Sequence, residues 1–251
     1  LTTVFPNEED MYISNIFVKE QVKALAKLVD EVNVVIPIPR GIERKRKTRY
    51  KSYSIGTNVN VFFVRYLNPL FPITYHYFRK QWIGVEMRVV KKFIKKQQID
   101  FDIINAHYTW PSGAVAVELK KELGLPVVIT EHSSITFKKA LQNKDRIFLN
   151  TWRLADAIIR IRKGDISEIE KLGIKRDKLH YIPNGFSNKK FKLMSKKDAR
   201  QKLGLPAEKK IVLSVGTLVP VKGHKYLIAA MQHVESQFYA LLLHVLHQSY
   251  V

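Results

Sequence analysis

Residues 211–231 read IVLSVGTLVPVKGHKYLIAAM. A hydrophobic run is followed by a loop from Gly216 to Gly223 and then by apolar residues at helical spacing. This order of strand, loop and helix is typical of a nucleotide-type α/β domain, where the helix N-terminus favours an anion. Lys222 adds a positive charge to the loop. Since the loop follows neither the Walker nor the G-x-G-x-x-G pattern, by itself it indicates only a turn that contains a lysine.

The composition is that of a soluble globular protein, with 46% hydrophobic and 26% charged residues among 251. The chain has no cysteine, which excludes disulfides, thiolate catalysis and cysteine-based metal sites. A cysteine-free chain rich in Lys, Ile and Val also suits a thermophile. No run approaches about 20 apolar residues, so we predict a cytoplasmic protein without a membrane span.

The charge is strongly basic, because 43 Lys and Arg face 22 Asp and Glu. A net charge of +21 attracts phosphorylated ligands, acidic lipid or nucleic acid. The basic residues concentrate at 44–49 and again at 88–96, where they alternate with apolar positions. The second cluster fits either a solvated helix face or a helix on an anionic membrane, at the inner membrane face. Nucleic acid ranks last as a partner, because no nucleic-acid-binding signature is present.

Strand and helix patterns alternate along the chain, which predicts an α/β fold with a doubly wound parallel sheet. One long basic helix is predicted over 75–96. Asp165 and Glu168 are predicted to form a capping box for a helix ending at Gly173. Residues 1–5 resemble the end of a first strand. The other predicted strands are 32–38, 60–66, 102–106, 127–130, 157–161, 179–182 and 211–215.

Two predicted strands end in histidine. The strand 102–106 is followed by His107-Tyr108, and the strand 127–130 by Glu131-His132. An imidazole at such an edge can hydrogen-bond a sugar or phosphate oxygen, or act as acid or base. A histidine at such a position can equally be a capping residue or a packing residue. A Ser–His–Asp hydrolase and a metal site are both disfavoured, because no G-x-S-x-G elbow and no third clustered ligand occur.

Several blocks taken in order resemble family 4 glycosyltransferases of the GT-B fold. They are FPNEEDMYISNIFVKEQVKAL (5–25), DIINAHYTWPSG (102–113), VVITEHSS (127–134), ADAIIRIRKGD (155–165), KLHYIPNGFSNKKF (178–191) and VGTLVPVKGHKYLIAAM (215–231). The resemblance implies an acceptor-side Rossmann-like domain over 1–185. It also implies a hinge and the first strand–loop–helix of a truncated donor-binding domain over 186–251. The implied reaction is retaining transfer from a nucleotide sugar to a sugar or lipid-linked acceptor, with no cofactor and no obligatory metal.

The resemblance also implies roles for individual residues. His132 matches the histidine that approaches the donor sugar and is the expected catalytic residue. The implied acceptor-binding residues are His107, Tyr108, Ser14 and Asn15. The implied donor-binding residues are Gly216, Lys222 and Gly223, and the implied hinge residues are Asn184 and Gly185.

The chain departs from the family in three places. Ser14-Asn15 stand where the first loop usually carries glycine, and Thr217 stands where an arginine is frequent. Residues 235–251 resemble no family continuation. We therefore expect little or no transferase activity from this chain, with a homodimer or a complementing chain covering the second domain. The alternative is a non-catalytic module that binds an acceptor, a membrane or a partner.

Overall fold

The computed structural model describes residues 1–10, 15–40, 50–68, 73–235 and 237–244. Ser14 and the basic run 44–49 therefore lie outside the described residues. The chain forms two compact units, Leu1–Gly185 and Phe186–Val251, called here the first and second units.

The described part of the first unit alternates strands with helices. Its strands are β1 (Val32–Pro39), β2 (Tyr53–Ile55), β3 (Val59–Tyr66), β4 (Ile104–His107), β5 (Val127–Glu131), β6 (Ala157–Arg160) and β7 (Leu179–Tyr181). Its helices are α1 (Ile16–Leu25), α2 (Ile73–His76), α3 (Arg79–Gln97), α4 (Ala114–Leu123), α5 (Ile135–Gln142), α6 (Arg146–Leu154) and α7 (Asp165–Glu170).

The strands form one sheet of order β1-β3-β2 and another of order β4-β5-β6-β7. Every pair is parallel except β2–β3. The predicted α/β fold with parallel sheets is thus confirmed. β2 runs antiparallel because only a short turn at Gly56, with φ +63°, joins it to β3. Such a turn has no room for a crossover helix, and the left-handed φ suits glycine.

Leu1 and Thr2 connect the two sheets. The amine of Leu1 donates to the carbonyl of Asn105 at 2.7 Å, and the Leu1 carbonyl accepts from the backbone of His107 at 2.9 Å. On the other side, the backbone of Thr2 donates to the carbonyl of Val35 at 3.2 Å. Residues 1 and 2 thereby lie between β1 and β4 and fix the edge of β4 that carries His107.

Apolar side chains pack into two clusters. The first cluster packs α1 against β1 and β3, and the second packs α4, α5 and α6 against β4, β5 and β6. Trp152 lies at the centre of the second cluster, fully buried, with the rings of Phe137 and Phe148 against it. The second cluster therefore supplies a rigid support for the ends of β4 and β5.

Two local predictions are wrong. The helix predicted over 75–96 is two helices, α2 and α3, because the backbone of Phe78 (φ −116°, ψ 53°) is not helical. The capping box at Asp165 does not form, since Gly164 precedes α7 and no side chain caps it. Asp165 instead forms an ion pair with Arg160 of β6.

The described part of the second unit contains α8 (Lys196–Lys202), β8 (Lys210–Gly216), α9 (His224–Met231) and β9 (Phe238–His244). Ser195 caps α8, accepting a hydrogen bond from the backbone N–H of Asp198 at 3.0 Å. β9 pairs with β8 in parallel and was not predicted. Across both units, no helix in the described ranges is both long and apolar enough to cross a membrane.

Candidate functional site

The two strand-end histidines form a stacked pair. β4 and β5 are neighbours, so His107 at the end of β4 lies beside His132, which directly follows β5. The Nδ1 of His107 and the Nε2 of His132 are 3.0 Å apart, and the ring centroids are 5.3 Å apart at 14°. A hydrogen bond at this distance needs one proton between the two nitrogens, so one ring donates and the other accepts.

Both rings are neutral near pH 7. Burial, followed by the charge of Arg160, lowers the pKa of His132 from 6.5 to about 4. Burial also lowers the pKa of His107 well below its ordinary value, helped by the neighbouring His132. A neutral imidazole both donates and accepts, so the pair can bind hydroxyl groups without carrying a charge into the site. The Nδ1 of His132 is buried and has no hydrogen-bond partner among the described residues.

Aromatic and amide groups surround His132. The ring of Phe17, from α1, lies 4.8 Å from its ring, and the ring of Tyr108 lies 5.3 Å away. The Tyr108 hydroxyl donates to Oδ1 of Asn15 at 2.7 Å. His107, Tyr108 and Asn15, which the sequence assigned to the acceptor site, thus lie close to His132. We call these four residues, together with Phe17, the rim.

Two rim residues have left-handed backbone conformations. Asn15 has φ +61° and Tyr108 has φ +70°. Asparagine adopts this region more readily than most residues, so it can replace the glycine usual in the family at this loop. A bulky residue with positive φ is uncommon, and such strain concentrates at functional sites. Asn15 therefore adopts the left-handed conformation that a glycine would adopt readily.

Buried charged residues lie directly beneath the rim, and sequence reasoning did not assign them a role. Glu131 at the end of β5 and Arg160 at the end of β6 are 1% and 0% exposed. Arg160 forms an ion pair with Asp165, and its guanidinium lies 3.9 Å from the ring centroid of Phe137. The sequence could have pointed to them, because each is the charged last residue of a mostly apolar strand. Such residues are rarely buried unless they are paired.

The two residues assigned to the hinge lie at the end of the first unit. The side chain of Asn184 accepts a hydrogen bond from Nε2 of Gln21 at 2.8 Å, and a Cβ at Gly185 would meet open space. Among the described residues, neither Asn184 nor Gly185 forms a hydrogen bond with the histidine pair. Their role as a hinge stays a prediction.

The second unit holds the glycine-bounded loop. Gly216 ends β8, and Gly223, with φ +72°, leads into α9. Lys222 is exposed. His224 was not identified from the sequence, yet it is buried and its ring bonds to Ser214 Oγ (3.2 Å) and to the Thr217 carbonyl (3.1 Å). His224 thus links the loop to β8 through these two hydrogen bonds. The glycines and the lysine of the loop are residue types that suit binding of an oxyanion.

A metal site is not formed by the described residues, among which no group of three or more His, Cys, Asp or Glu side chains could hold an ion. The expectation from the family resemblance that no metal is required stays a prediction.

Replacing Gly113 by alanine should destabilise the first unit by about 1–3 kcal/mol. A Cβ there would lie 3.1 Å from Ile129 Cδ1 and 3.1 Å from the carbonyl of Tyr108, so the loop carrying Tyr108 must move. The matched control is Gly84→Ala in α3, where a Cβ meets nothing within 4 Å. Because alanine favours a helix, the control should be stabilised by about 0.5–1 kcal/mol. Urea denaturation compares the two, and equal midpoints would contradict the prediction.

The family model for glycosyltransferase family 4 matches residues 14–189, and the model for glycosyl transferases group 1 matches residues 195–246. The second match corrects the expectation that the end of the chain resembles no family continuation, because it includes β9 and extends to residue 246.

Similar proteins include mannosylfructose-phosphate synthase from Agrobacterium fabrum, 31% identical over 55% of this chain and 34% of that protein. The putative teichuronic acid biosynthesis glycosyltransferase TuaC from Bacillus subtilis is 24% identical over 94% of this chain and 62% of that protein. This chain therefore spans from about a third to less than two thirds of the length of these relatives.

Among solved structures, Anabaena Alr3699/HepE in complex with UDP superposes with a TM-score of 0.50 and 19% identity. The alignment covers 83% of this chain and 52% of that one, and it supports the fold. The family model covers well over half of the residues, including the loop after α1, the histidine pair and the strands that carry it. The chain belongs to glycosyltransferase family 4.

Proposed function

We propose that this chain serves the retaining transfer of a sugar from a nucleotide sugar to a sugar or lipid-linked acceptor. The observation that carries the proposal is the neutral histidine pair at adjacent strand ends of a family 4 domain. Ligands of open parallel sheets bind beyond the carboxyl ends of the strands, which is where the pair lies.

In the first unit, the rim supplies hydrogen-bonding groups for sugar hydroxyls. His132 is the proposed catalytic residue, because it lies at the strand ends and its Nδ1 still lacks a hydrogen-bond partner among the described residues. His107, Tyr108 and Asn15 are proposed to hold the acceptor. A neutral His132 suits this role, since a cation would disfavour the positive charge that develops on the sugar ring during transfer.

In the second unit, the loop from Gly216 to Gly223 is proposed to hold the diphosphate of the donor. Lys222 supplies a positive charge for the leaving phosphate, and the backbone at the start of α9 supplies N–H donors. In the transfer, the bond from the sugar C1 to the diphosphate breaks while the acceptor oxygen bonds to C1 on the same face. The proton of the acceptor hydroxyl passes to the leaving phosphate oxygen, so no protein nucleophile is needed.

UDP is the probe for the donor half of the proposal. Addition of UDP to the ¹⁵N-labelled chain should shift the backbone amide signals of Gly216 and Gly223. The substitution Lys222→Ala should weaken this response at least about tenfold, since it removes a charge contact to a phosphate. The control is Lys225→Ala, two residues beyond Gly223, which should respond like the unmodified chain. Unshifted amides at about 10 mM UDP, well above a millimolar dissociation constant, would contradict the proposed donor site.

Release of UDP from UDP-glucose in the presence of sugar acceptors tests the catalytic half. The substitution His132→Phe keeps a ring against Phe17 and Tyr108 but removes both nitrogens. Whatever turnover the chain shows should fall by about 10²-fold or more, as for a lost transition-state hydrogen bond. A rate unchanged by the substitution would remove His132 from the reaction.

The same preparations test the second candidate, a module that binds an anionic surface. The observation in its favour is that Arg88, Lys92, Lys95 and Lys96 of α3 are exposed. Salt-sensitive sedimentation with phosphatidylserine vesicles, combined with no response to UDP, would favour the module over the transferase.

A further inference from the structure

Glu131 joins the loop after β4, which carries Tyr108, to the loop after β5, which carries His132. Its side chain is 1% exposed, and its two carboxylate oxygens bond to different loops. One oxygen accepts from the backbone N–H of Thr109 at 2.7 Å, directly after Tyr108. The other accepts from the backbone N–H of Ser133 at 2.7 Å, directly after His132. A single side chain thus holds the backbone of both loops that follow the paired histidines.

A second contact to the loop after β5 comes from β6. The guanidinium of Arg160 donates to the backbone carbonyl of Glu131 and, at 3.2 Å, to that of Ser133. Near His132, the N–H of Ser133 and the carbonyls of Glu131 and Ser133 therefore all have hydrogen-bond partners. Thr109 is held independently as well, because its hydroxyl accepts from Nε1 of Trp152 at 2.9 Å in the buried second cluster.

Both oxygens of the side chain act as hydrogen-bond acceptors. Each accepts from one backbone N–H, and the carboxyl group of glutamate offers two acceptor oxygens where an amide offers only one. Hydrogen bonds from a backbone N–H to a carboxylate are short and about twice as strong as neutral ones, consistent with the two 2.7 Å distances.

We propose that Glu131 is a positioning residue, whose carboxylate sets the placement of His132 relative to Tyr108. The two hydrogen bonds of its carboxylate go to backbone N–H groups and not to the ring nitrogens of His132. Its effect on sugar transfer would arise because misplacing reacting groups by about 1 Å can cost 10²-fold in rate. That consequence rests on the proposed function, whereas the positioning itself can be measured without any ligand.

The first experiment uses the unmodified chain. A long-range HNCO spectrum detects couplings across hydrogen bonds, so it should connect the amide nitrogens of both Thr109 and Ser133 to the side-chain carboxylate carbon of Glu131. Both connections are expected. The absence of either one would overturn the proposal, because the carboxylate would then hold one loop at most.

The second experiment uses Glu131→Gln, which keeps the shape of the side chain but leaves only one acceptor oxygen. Either the Thr109 or the Ser133 amide should then exchange with deuterium about tenfold faster or more, since it has lost a charge-assisted bond. The ring signals and the pKa of His132 should change in the same variant. Glu131→Asp keeps the charge but is one methylene shorter, so it should also release one loop.

The matched control is Glu118→Gln on α4, whose carboxylate pairs with Lys121 at the surface. This variant should leave the Thr109 and Ser133 amides and the His132 signals unchanged. If Glu131→Gln behaves like the control, Glu131 is not a positioning residue. If it does not fold, Glu131→Asp and the unmodified chain still decide the question. Failure of the UDP experiment would leave these results standing, so the two proposals fail separately.

Discussion

Acidification from pH 6.5 to about 4 should destabilise the first unit by about 3 kcal/mol through His132 alone. An unfolded histidine takes up a proton near pH 6.5, whereas the buried ring of His132 takes one up only near pH 4. Between these values the unfolded chain binds more protons than the folded one, so stability falls as the pH falls. The effect is complete below about pH 4 and absent above pH 7. His107 should act in the same direction, because its pKa is also lowered by burial.

One other buried group titrates in an overlapping window. Burial raises the pKa of Glu86 from 4.5 to about 8, so the folded state binds the extra proton and this group acts in the opposite direction. The pH profile of the unmodified chain alone therefore does not isolate the histidine pair.

The difference between two profiles isolates His132. Urea denaturation from pH 7.5 to 4 should show a shallower loss of stability for His132→Gln than for the unmodified chain, since glutamine does not titrate. His180→Gln, at an exposed position of β7, is the control and should run parallel to the unmodified chain. Parallel profiles for His132→Gln as well would mean that His132 is not neutral in the folded state at low pH.

The approach of the two histidines could be predicted from the sequence, because parallel strand ends meet at one edge of a sheet. His107 and His132 each follow a short apolar run, and that placement is enough to bring them together. The contact of Tyr108 with Asn15 joins the loop after β4 to the start of α1. It could be predicted only through the family resemblance, since 93 residues separate the two side chains.

The charged support beneath the rim could not be predicted with the same reasoning. Spacing alone fits Asp165 equally well as a helix cap or as a partner of Arg160, five positions earlier. The choice depends on where β6 directs the arginine, which is a tertiary property. The same holds for the break between α2 and α3, because no proline or glycine stands at Phe78 to signal it.

In the second unit, local pattern was sufficient for β8, the loop and α9, but not for the role of His224. A histidine directly after Gly223 reads as the first residue of an exposed helix. Only the structure shows that its ring turns back to Ser214 and Thr217. β9 was missed because a single strand near the end of the sequence has no following helix to define it.

Replacing Arg160 by methionine should destabilise the first unit by about 3–5 kcal/mol, the largest effect expected here. Methionine fills similar volume against Phe137 but leaves the Asp165 carboxylate without its cation and the buried carbonyl of Glu131 without its donor. The exposed residue Arg153 of α6 provides the control, and Arg153→Met should change the stability by less than about 0.5 kcal/mol. Urea denaturation at pH 7 measures both.

A double-mutant cycle separates the ion pair from the loss of the carbonyl contacts. Combined with Arg160→Met, the substitution Asp165→Leu removes the carboxylate that the first change leaves unpaired, so the double variant should recover part of the lost stability. The pKa of His132 provides a second readout. Because the charge of Arg160 helps to lower it, the pKa should rise in Arg160→Met and stay low in Arg160→Lys, where a cation remains. Additive stability changes together with an unchanged His132 pKa would show that Arg160 acts only by filling space. A coupled loss with a raised pKa would show that one buried cation both holds the loop after β5 and keeps its histidine neutral.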